Sequence, residues 1–293
     1  MPSISSSPED RQPAAGVLYV VATPIGHLDD ITVRALAILG AVDLIAAEDT
    51  RHTRKLLTRH GITAAKLTAY HEHNEQRKAP RLIEMMQQGA ALALVSDAGT
   101  PLISDPGYRL VRSAGRCGLP VIPIPGPNAC GAALSVSGLP TDQFLFVGFP
   151  PRKTGARQKL LRELKGEGRT LVFYESPHRI CTLLEELSAL WGERQVLCAR
   201  EMTKLHEEYL RGALADVARQ LAGRERVRGE ITLVVAGNPV PAGDGPGELE
   251  DLLSARLAEP GASLSRVVKD VARDLSLSRK RVYQTALKIQ EKL

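Results

Sequence analysis

Four short segments combine residue types that could bind or transform a ligand, three of them directly after apolar runs and the fourth at a joint between two halves. The longest is SDAGTPLISDPG at 96–107, directly after ALALV, with two Ser-Asp pairs, two prolines and two glycines. Twelve residues of that composition exceed what a simple connection needs, and loops of this length more often serve function. Asp97 can hold a ribose, an amine or a water through charge-assisted hydrogen bonds, whereas Asp105 suits the cap of the helix that follows. ATPIGHL at 22–28 leaves the run VLYVVA. Its Pro and Gly let the backbone pass close to a ligand, and the next helix start offers free N–H groups. PIPGP at 123–127 has three prolines in five residues and makes a rigid joint between the two halves of the chain, a favoured place for a ligand crevice. YESPHR at 174–179 closes the set; His178 taken singly is more often structural than catalytic.

Other chemistries find less support. Cys117, Cys130, Cys181 and Cys198 are far apart and form no CxxC pair, which disfavours zinc ribbons and disulfide scaffolds. Reduced thiols in the cytoplasm are the expectation. His71 and His73 would need further ligands that the sequence does not identify, so no metal is expected. There is no GxGxxG between a strand and a helix, so a dinucleotide-type methyltransferase fold is not supported.

The elements that position these loops alternate. Strands are predicted at 17–22, 42–47, 91–95 and 121–124, with helices at 50–59 and 80–88. Asp29 or Asp30 caps a further helix that ends at Gly40, and Pro80 and Gly89 frame the 80–88 helix. Strands this apolar imply a mostly parallel sheet covered on both sides, over 16–124. The pattern restarts over 125–237, with strands at 144–149, 170–174, 195–199 and 230–236. Helices there are predicted near 128–136, 155–165, 177–190 and 213–222. A linker at 238–247 leads to three helices at 248–258, 264–274 and 279–291, the last two set like a helix-turn-helix around Ser276 with Ser278 as cap. The fold class is α/β: two α/β domains plus a small C-terminal all-helical domain, after a disordered leader at 1–15.

Composition bounds the partners. The net charge is +5, and residues 263–293 alone carry +5, so the basic character sits at the C-terminal end and suggests a polyanion. Aromatic residues are only 4%, so a broad base-stacking platform is not expected. The longest uncharged stretch, 117–141, contains five prolines and four glycines and reads as turns, not as a membrane span.

The loops and their flanks resemble the tetrapyrrole methylase superfamily, and within it the branch that methylates small-subunit ribosomal RNA. The matching segments are LYVVATPIGHLDDIT (18–32), LIAAEDTRHTRKLL (44–57), YHEHNE (70–75), VSDAGTPLISDPGYRLV (95–111), PIPGPNA (123–129), FYESPHR (173–179) and AREMTKLHEE (199–208). They run in order through nearly all of 17–237; one departure is His27, where the family pattern has Asn. The resemblance implies S-adenosylmethionine in the cleft between the two domains, against Pro24, Asp97, Gly99, Leu102, Ile103, Asn128, Ala129, Tyr174 and Thr232. The bends around 24, 97–103 and 127–129 must then converge.

The implied reaction is 2′-O-methylation of a cytidine ribose in the decoding region of 16S rRNA, by a homodimer. Asp49, Arg51 and Glu75 are the candidates for base or nucleotide positioning, with Glu48, His71 and His73 beside them. Lys153 and Arg157, with Lys159 and Arg162, and Arg279, Lys280 and Arg281 in the tail, are candidates to grip phosphates. Two rival readings are a tetrapyrrole-type small-molecule methylase of the same superfamily and a DNA-binding regulator that reads through its tail. The latter would leave four fifths of the chain without a task.

Overall fold

The computed structural model describes residues 13–63, 65–238, 246–257, 263–274 and 279–290, without side chains at 246–248, 273–274, 280–281 and 290. Most of the expected leader and linker, and Ser276 and Ser278 of the expected helix-turn-helix, lie outside the described residues.

The first sheet holds β1 (Leu18–Val21), β2 (Leu44–Ala47), β3 (Leu67–Ala69), β4 (Leu92–Val95) and β5 (Val121–Ile124). All are parallel, in the order β3-β2-β4-β1-β5. Its helices are α1 (Val33–Ala41), α2 (Thr50–Arg59), α3 (Glu75–Gln87) and α4 (Tyr108–Arg116). They cover both faces: Val21, Ile38, Ile45 and Leu57 share one core, and Leu18, Leu82, Leu92 and Leu110 the other. This is why all four residues of β4 are buried and apolar. The position of β1 between β4 and β5 makes the loops leaving these three carboxyl ends neighbours.

Two helix starts differ from expectation. Asp29 and Asp30 belong to a short 3-10 turn, Leu28–Asp30, and Thr32 caps α1 by accepting the Ala35 N–H at 3.1 Å. Gly40 lies inside α1. Helix α3 begins at Glu75 and runs through Pro80. Both Pro80 and Gln76, whose carbonyl loses its helical donor to the proline, are exposed, so water can replace the missing bond.

The second sheet holds β6 (Phe144–Gly148), β7 (Thr170–Glu175), β8 (Gln195–Arg200), β9 (Glu208–Ala213) and β10 (Ile231–Val235), in the order β6-β7-β10-β8-β9. Only β6 and β7 are parallel; β10 inserts antiparallel between β7 and β8. Helices α5 (Ala129–Ser135), α6 (Thr154–Glu163), α7 (Ile180–Trp191) and α8 (Leu214–Ala222) accompany it. The strands not predicted, β3 and β9, each lie at one edge of their sheet, opposite the predicted edge strands β5 and β6. Edge strands bury less, and neither holds an apolar run.

Helices α9 (Pro246–Leu257), α10 (Leu264–Asp274) and α11 (Arg279–Gln290) share a core of their own around Leu253, Val271, Val282 and Ala286. Among the described residues no helix is long and apolar enough to cross a membrane. The four cysteines are free.

Candidate active site between the two sheets

Thr23 and Gly99 exchange backbone hydrogen bonds, each 2.9 Å, which ties the loop after β1 to the loop after β4. The Thr23 hydroxyl also donates to the Ser96 carbonyl at 3.1 Å. Thr100 donates from its hydroxyl to the Pro127 carbonyl at 3.1 Å, joining the long loop to the proline-rich joint after β5. Gly126 lies so close to β1 that a Cβ there would stand 3.0 Å from the Ala22 Cβ. Ile25 crosses into the core of the second sheet, beside Cys130, Leu134 and Met202. The three bends therefore converge.

They face the end of β7 and the start of β10 across a cavity of about 410 Å³. That is within the usual range for small-molecule sites, roughly 300–1,000 Å³. Of the residues that the resemblance assigns to the donor, Asp97, Gly99, Ile103, Asn128, Ala129, Tyr174 and Thr232 line it. Pro24 and Leu102 do not. Ile25 forms the wall next to Pro24, and Leu102, held at a φ of 73°, packs on Leu94 and Leu110 in the core beneath.

The cavity walls are pinned. Asn128 caps α5 by accepting the Gly131 N–H at 3.1 Å, and the Tyr174 hydroxyl accepts the Cys130 N–H at 3.0 Å. Burial pushes the Tyr174 phenol up to about 12, so it stays neutral. Phe146 and Phe149 meet its ring edge-on at 5.0 and 5.7 Å. Thr232 is buried and pairs with Tyr174 across β10 and β7.

Five carboxylates line the cavity: Glu175 and Glu230 are paired with Arg179 and Lys204, and Glu48, Asp97 and Asp105 have no such ion pair among the described residues. An Asp97 oxygen accepts the Asp49 N–H at 2.9 Å, while the Asp97 N–H donates to Glu48 at 3.3 Å. Burial raises the Glu48 carboxyl above its ordinary range. Burial also pushes Asp105 up to about 7, against the Ser96 hydrogen bond and with the help of the Glu48 and Asp97 charges. Asp105 is not the expected helix cap. Gly107, at a φ of 134°, occupies that place with no side-chain bond.

Asp49, Arg51 and Glu75 do not line the cavity. Asp49 caps α2, and its carboxylate meets the guanidinium of the exposed Arg51 at 2.6 Å. Glu75 pairs with Arg109 at 2.7 Å. His71 is bonded to Asn74, and His73 is exposed. Among the described residues no group of His, Cys, Asp or Glu is arranged for a metal. His178 is exposed outside the cavity, while its neighbour Glu175 lines the wall and is gripped by Arg179. His27 caps the 3-10 turn, its Nδ1 accepting the Asp29 N–H at 3.3 Å.

The cations assigned to phosphates divide. Lys153 is exposed before α6, but Arg157 is buried and bound by both Glu186 oxygens, at 2.6 and 2.9 Å. It is unavailable to RNA, and its i,i+4 spacing from the buried Leu161 was the signal. Arg279 is exposed beside Arg266, Lys269 and Tyr283 in a shallow depression, while the side chains of Lys280 and Arg281 lie outside the described residues. Phe149, Met202 and Gly229 line the cavity without having been singled out, and Asp105, read from the sequence as a helix cap, lines it too.

Residues 17–218 match the model of the tetrapyrrole (corrin/porphyrin) methylases. A ribosomal RNA small subunit methyltransferase I of Mesorhizobium japonicum is 45% identical over 96% of this chain and 94% of its own length. The protein of that name in Escherichia coli O157:H7 is 49% identical over 83% of this chain and 86% of its own. Among solved structures, uroporphyrin-III C-methyltransferase of Thermus thermophilus, complexed with S-adenyl homocysteine, overlays with a TM-score of 0.53. It is 20% identical, covers 75% of this chain and 96% of its own, and so speaks to the fold. A family match spanning most of the chain, two parallel-to-mixed sheets and a cavity walled by their loops agree: the chain belongs to the tetrapyrrole methylase family.

Proposed function

We propose that the chain transfers a methyl group from S-adenosylmethionine to ribosomal RNA of the small subunit, at the 2′-hydroxyl of a cytidine in the decoding region. The observation that carries the reading is the charge of the cavity: Glu48, Asp97 and Asp105, beside the ion-paired Glu175 and Glu230, face a space whose apolar wall includes Ile25, Ile103 and Ala129. A sulfonium and an ammonium are both cations, and partly buried carboxylates favour them. When bound, the donor supplies a methyl group that its sulfonium has already activated. Asp97, anchored by the Asp49 N–H, and the neutral Tyr174 orient it, with Asn128, Ala129 and Thr232 completing the cradle. Such orientation is worth on the order of 7 kcal/mol or more.

Asp105 is the group suited to take the hydroxyl proton. It lines the cavity, and a carboxyl held near 7 is a poised base at neutral pH. The name shared by relatives at 44–52% identity supports the RNA substrate over a tetrapyrrole, which the broad family description and the more distant fold likeness favour. Association with the small subunit, a homodimer, a cytoplasmic location and RNA docking by α9–α11 complete the proposal, and rest on the family resemblance and the basic tail.

The test mixes purified protein, methyl-labelled S-adenosylmethionine and small subunits from cells lacking the activity. The expected product is a labelled, 2′-O-methylated cytidine in a decoding-region fragment, recognised by its resistance to nuclease. Label on an added tetrapyrrole, with none on RNA, overturns the substrate.

A further inference from the structure

We infer that the outer face of α2 is a phosphate-binding track that leads the RNA strand to the cavity; the inference rests on the RNA reading above. The helix reads TRHTRKLLTR, and its Thr53, Leu56 and Leu57 are buried against the first sheet. The other side presents Arg51, Arg54, Lys55, Thr58 and Arg59 along one shallow depression. That is four cations and a hydroxyl on a helix about 15 Å long. Arg51 and Arg59 have carboxylates nearby, Asp49 at 2.6 Å and Asp29 at 3.9 Å. Arg54 and Lys55 have no carboxylate partner among the described residues.

Position gives this stripe its meaning. Helix α2 starts two residues after Glu48, which lines the cavity, and Asp49 between them is bonded to Asp97. The stripe therefore begins beside the cavity mouth. At its other end Arg59 borders a second depression with His27, Asp29 and Lys204, where Lys204 is already paired with Glu201 and Glu230. A polyanion approaching the cavity's carboxylates is repelled over roughly the 8 Å screening length of physiological salt. A row of cations starting at the rim offsets that repulsion and holds the strand while one ribose enters. Phosphate contacts of this kind give register and affinity, not sequence choice.

The experiment uses the full chain carrying R54E and K55E together. A control, R112E with R116E, makes the same charge change on exposed positions of α4. Binding to a decoding-region RNA and to small subunits from cells lacking the activity is measured across salt, with donor uptake followed by calorimetry. The expected result is RNA affinity lower by about tenfold or more, and a salt slope smaller by about 2. KM for the subunit rises, kcat changes little, and donor affinity stays within about twofold, as does RNA affinity in the control. If R54E/K55E fails to fold, R54Q/K55Q asks the same question with a smaller expected loss. Unchanged RNA affinity and slope in the folded variant, or an equal loss in the control, overturns the track. A parent protein that methylates no RNA refutes the RNA reading instead, so the two failures are distinguishable.

Discussion

Asp105 ties the physics of one side chain to both stability and rate. Its carboxyl titrates near 3.8 when free and about 7 in the folded chain, because burial beside Glu48 and Asp97 penalises the charge. Between those pH values the folded chain keeps a proton that the unfolded chain has released. Stability therefore falls as pH rises from about 4 to about 7, and then levels off. Asp105→Asn removes this cost, so the variant's gain in Tm over the parent should be larger at pH 8 than at pH 5 in thermal melts without donor. Its rate should move the other way. The parent's kcat/KM rises with pH to a plateau above about 7, while Asp105→Asn loses on the order of 10²-fold and flattens the profile. A bound cation stabilises the carboxylate, so the inflection in kcat lies below that in kcat/KM. A variant that keeps the parent's pH profile ends the claim that Asp105 takes the proton. The sequence offered this residue and hid it: Asp-Pro-Gly before a helix reads as a cap, and only the left-handed turns at Leu102 and Ser104 turn Asp105 toward the cavity wall.

At the scale of elements, the long loop is held by a glycine that nothing else can replace cheaply. Gly107 has a φ of 134°, and a Cβ there would stand 2.7 Å from Leu94 Cδ2 and 3.0 Å from Leu102 Cδ1. Gly107→Ala should cost about 1–3 kcal/mol in denaturant unfolding, from backbone strain and overpacking together. Because Leu102 must shift, the variant should also bind the donor more weakly by calorimetry; a variant with unchanged stability and uptake removes the loop's dependence on this contact. The buried elements were the legible ones. Apolar runs such as ALALV and ITLVV can only be strands covered on both sides, and β4 and β10 lie where those runs are. Strand direction was not legible, since β7 and β10 have similar composition whether parallel or antiparallel. The edge strand β9 is half-buried along most of its length and shows no clean alternation, a pattern that a loop also allows. Site residues followed the same division. Loop composition pointed to Asp97 and the family resemblance to Asn128, whereas Glu48 and Asp49 differ by one position at a strand end, and only the turn into α2 decides which one faces the cavity.

At the scale of the whole molecule, cofactor and RNA surfaces are separable. Among the described residues, all those that line the cavity fall between Ile25 and Thr232, and none belongs to α9–α11. Those helices bury their own core, with Leu249, Leu253, Val268, Val271 and Ile289 packed on one another. Their charge is of the opposite kind to the cavity's: Arg266, Lys269 and Arg279 border one depression with the half-exposed Tyr283. A chain ending at residue 238 should therefore keep its donor affinity and the unfolding transition of the two sheets. Its RNA affinity should fall, and log K should depend less steeply on log salt, by about 0.9 for each phosphate contact removed. The R54E/K55E change acts on a helix of the first sheet and not on the tail, so its free-energy cost and that of the truncation should add within about 0.5 kcal/mol. Loss of donor uptake on truncation refutes the separation, because it makes the tail part of the cavity's support. Costs that fail to add place α2 and the tail on one continuous RNA footprint, where a strand released from one surface is held less well by the other.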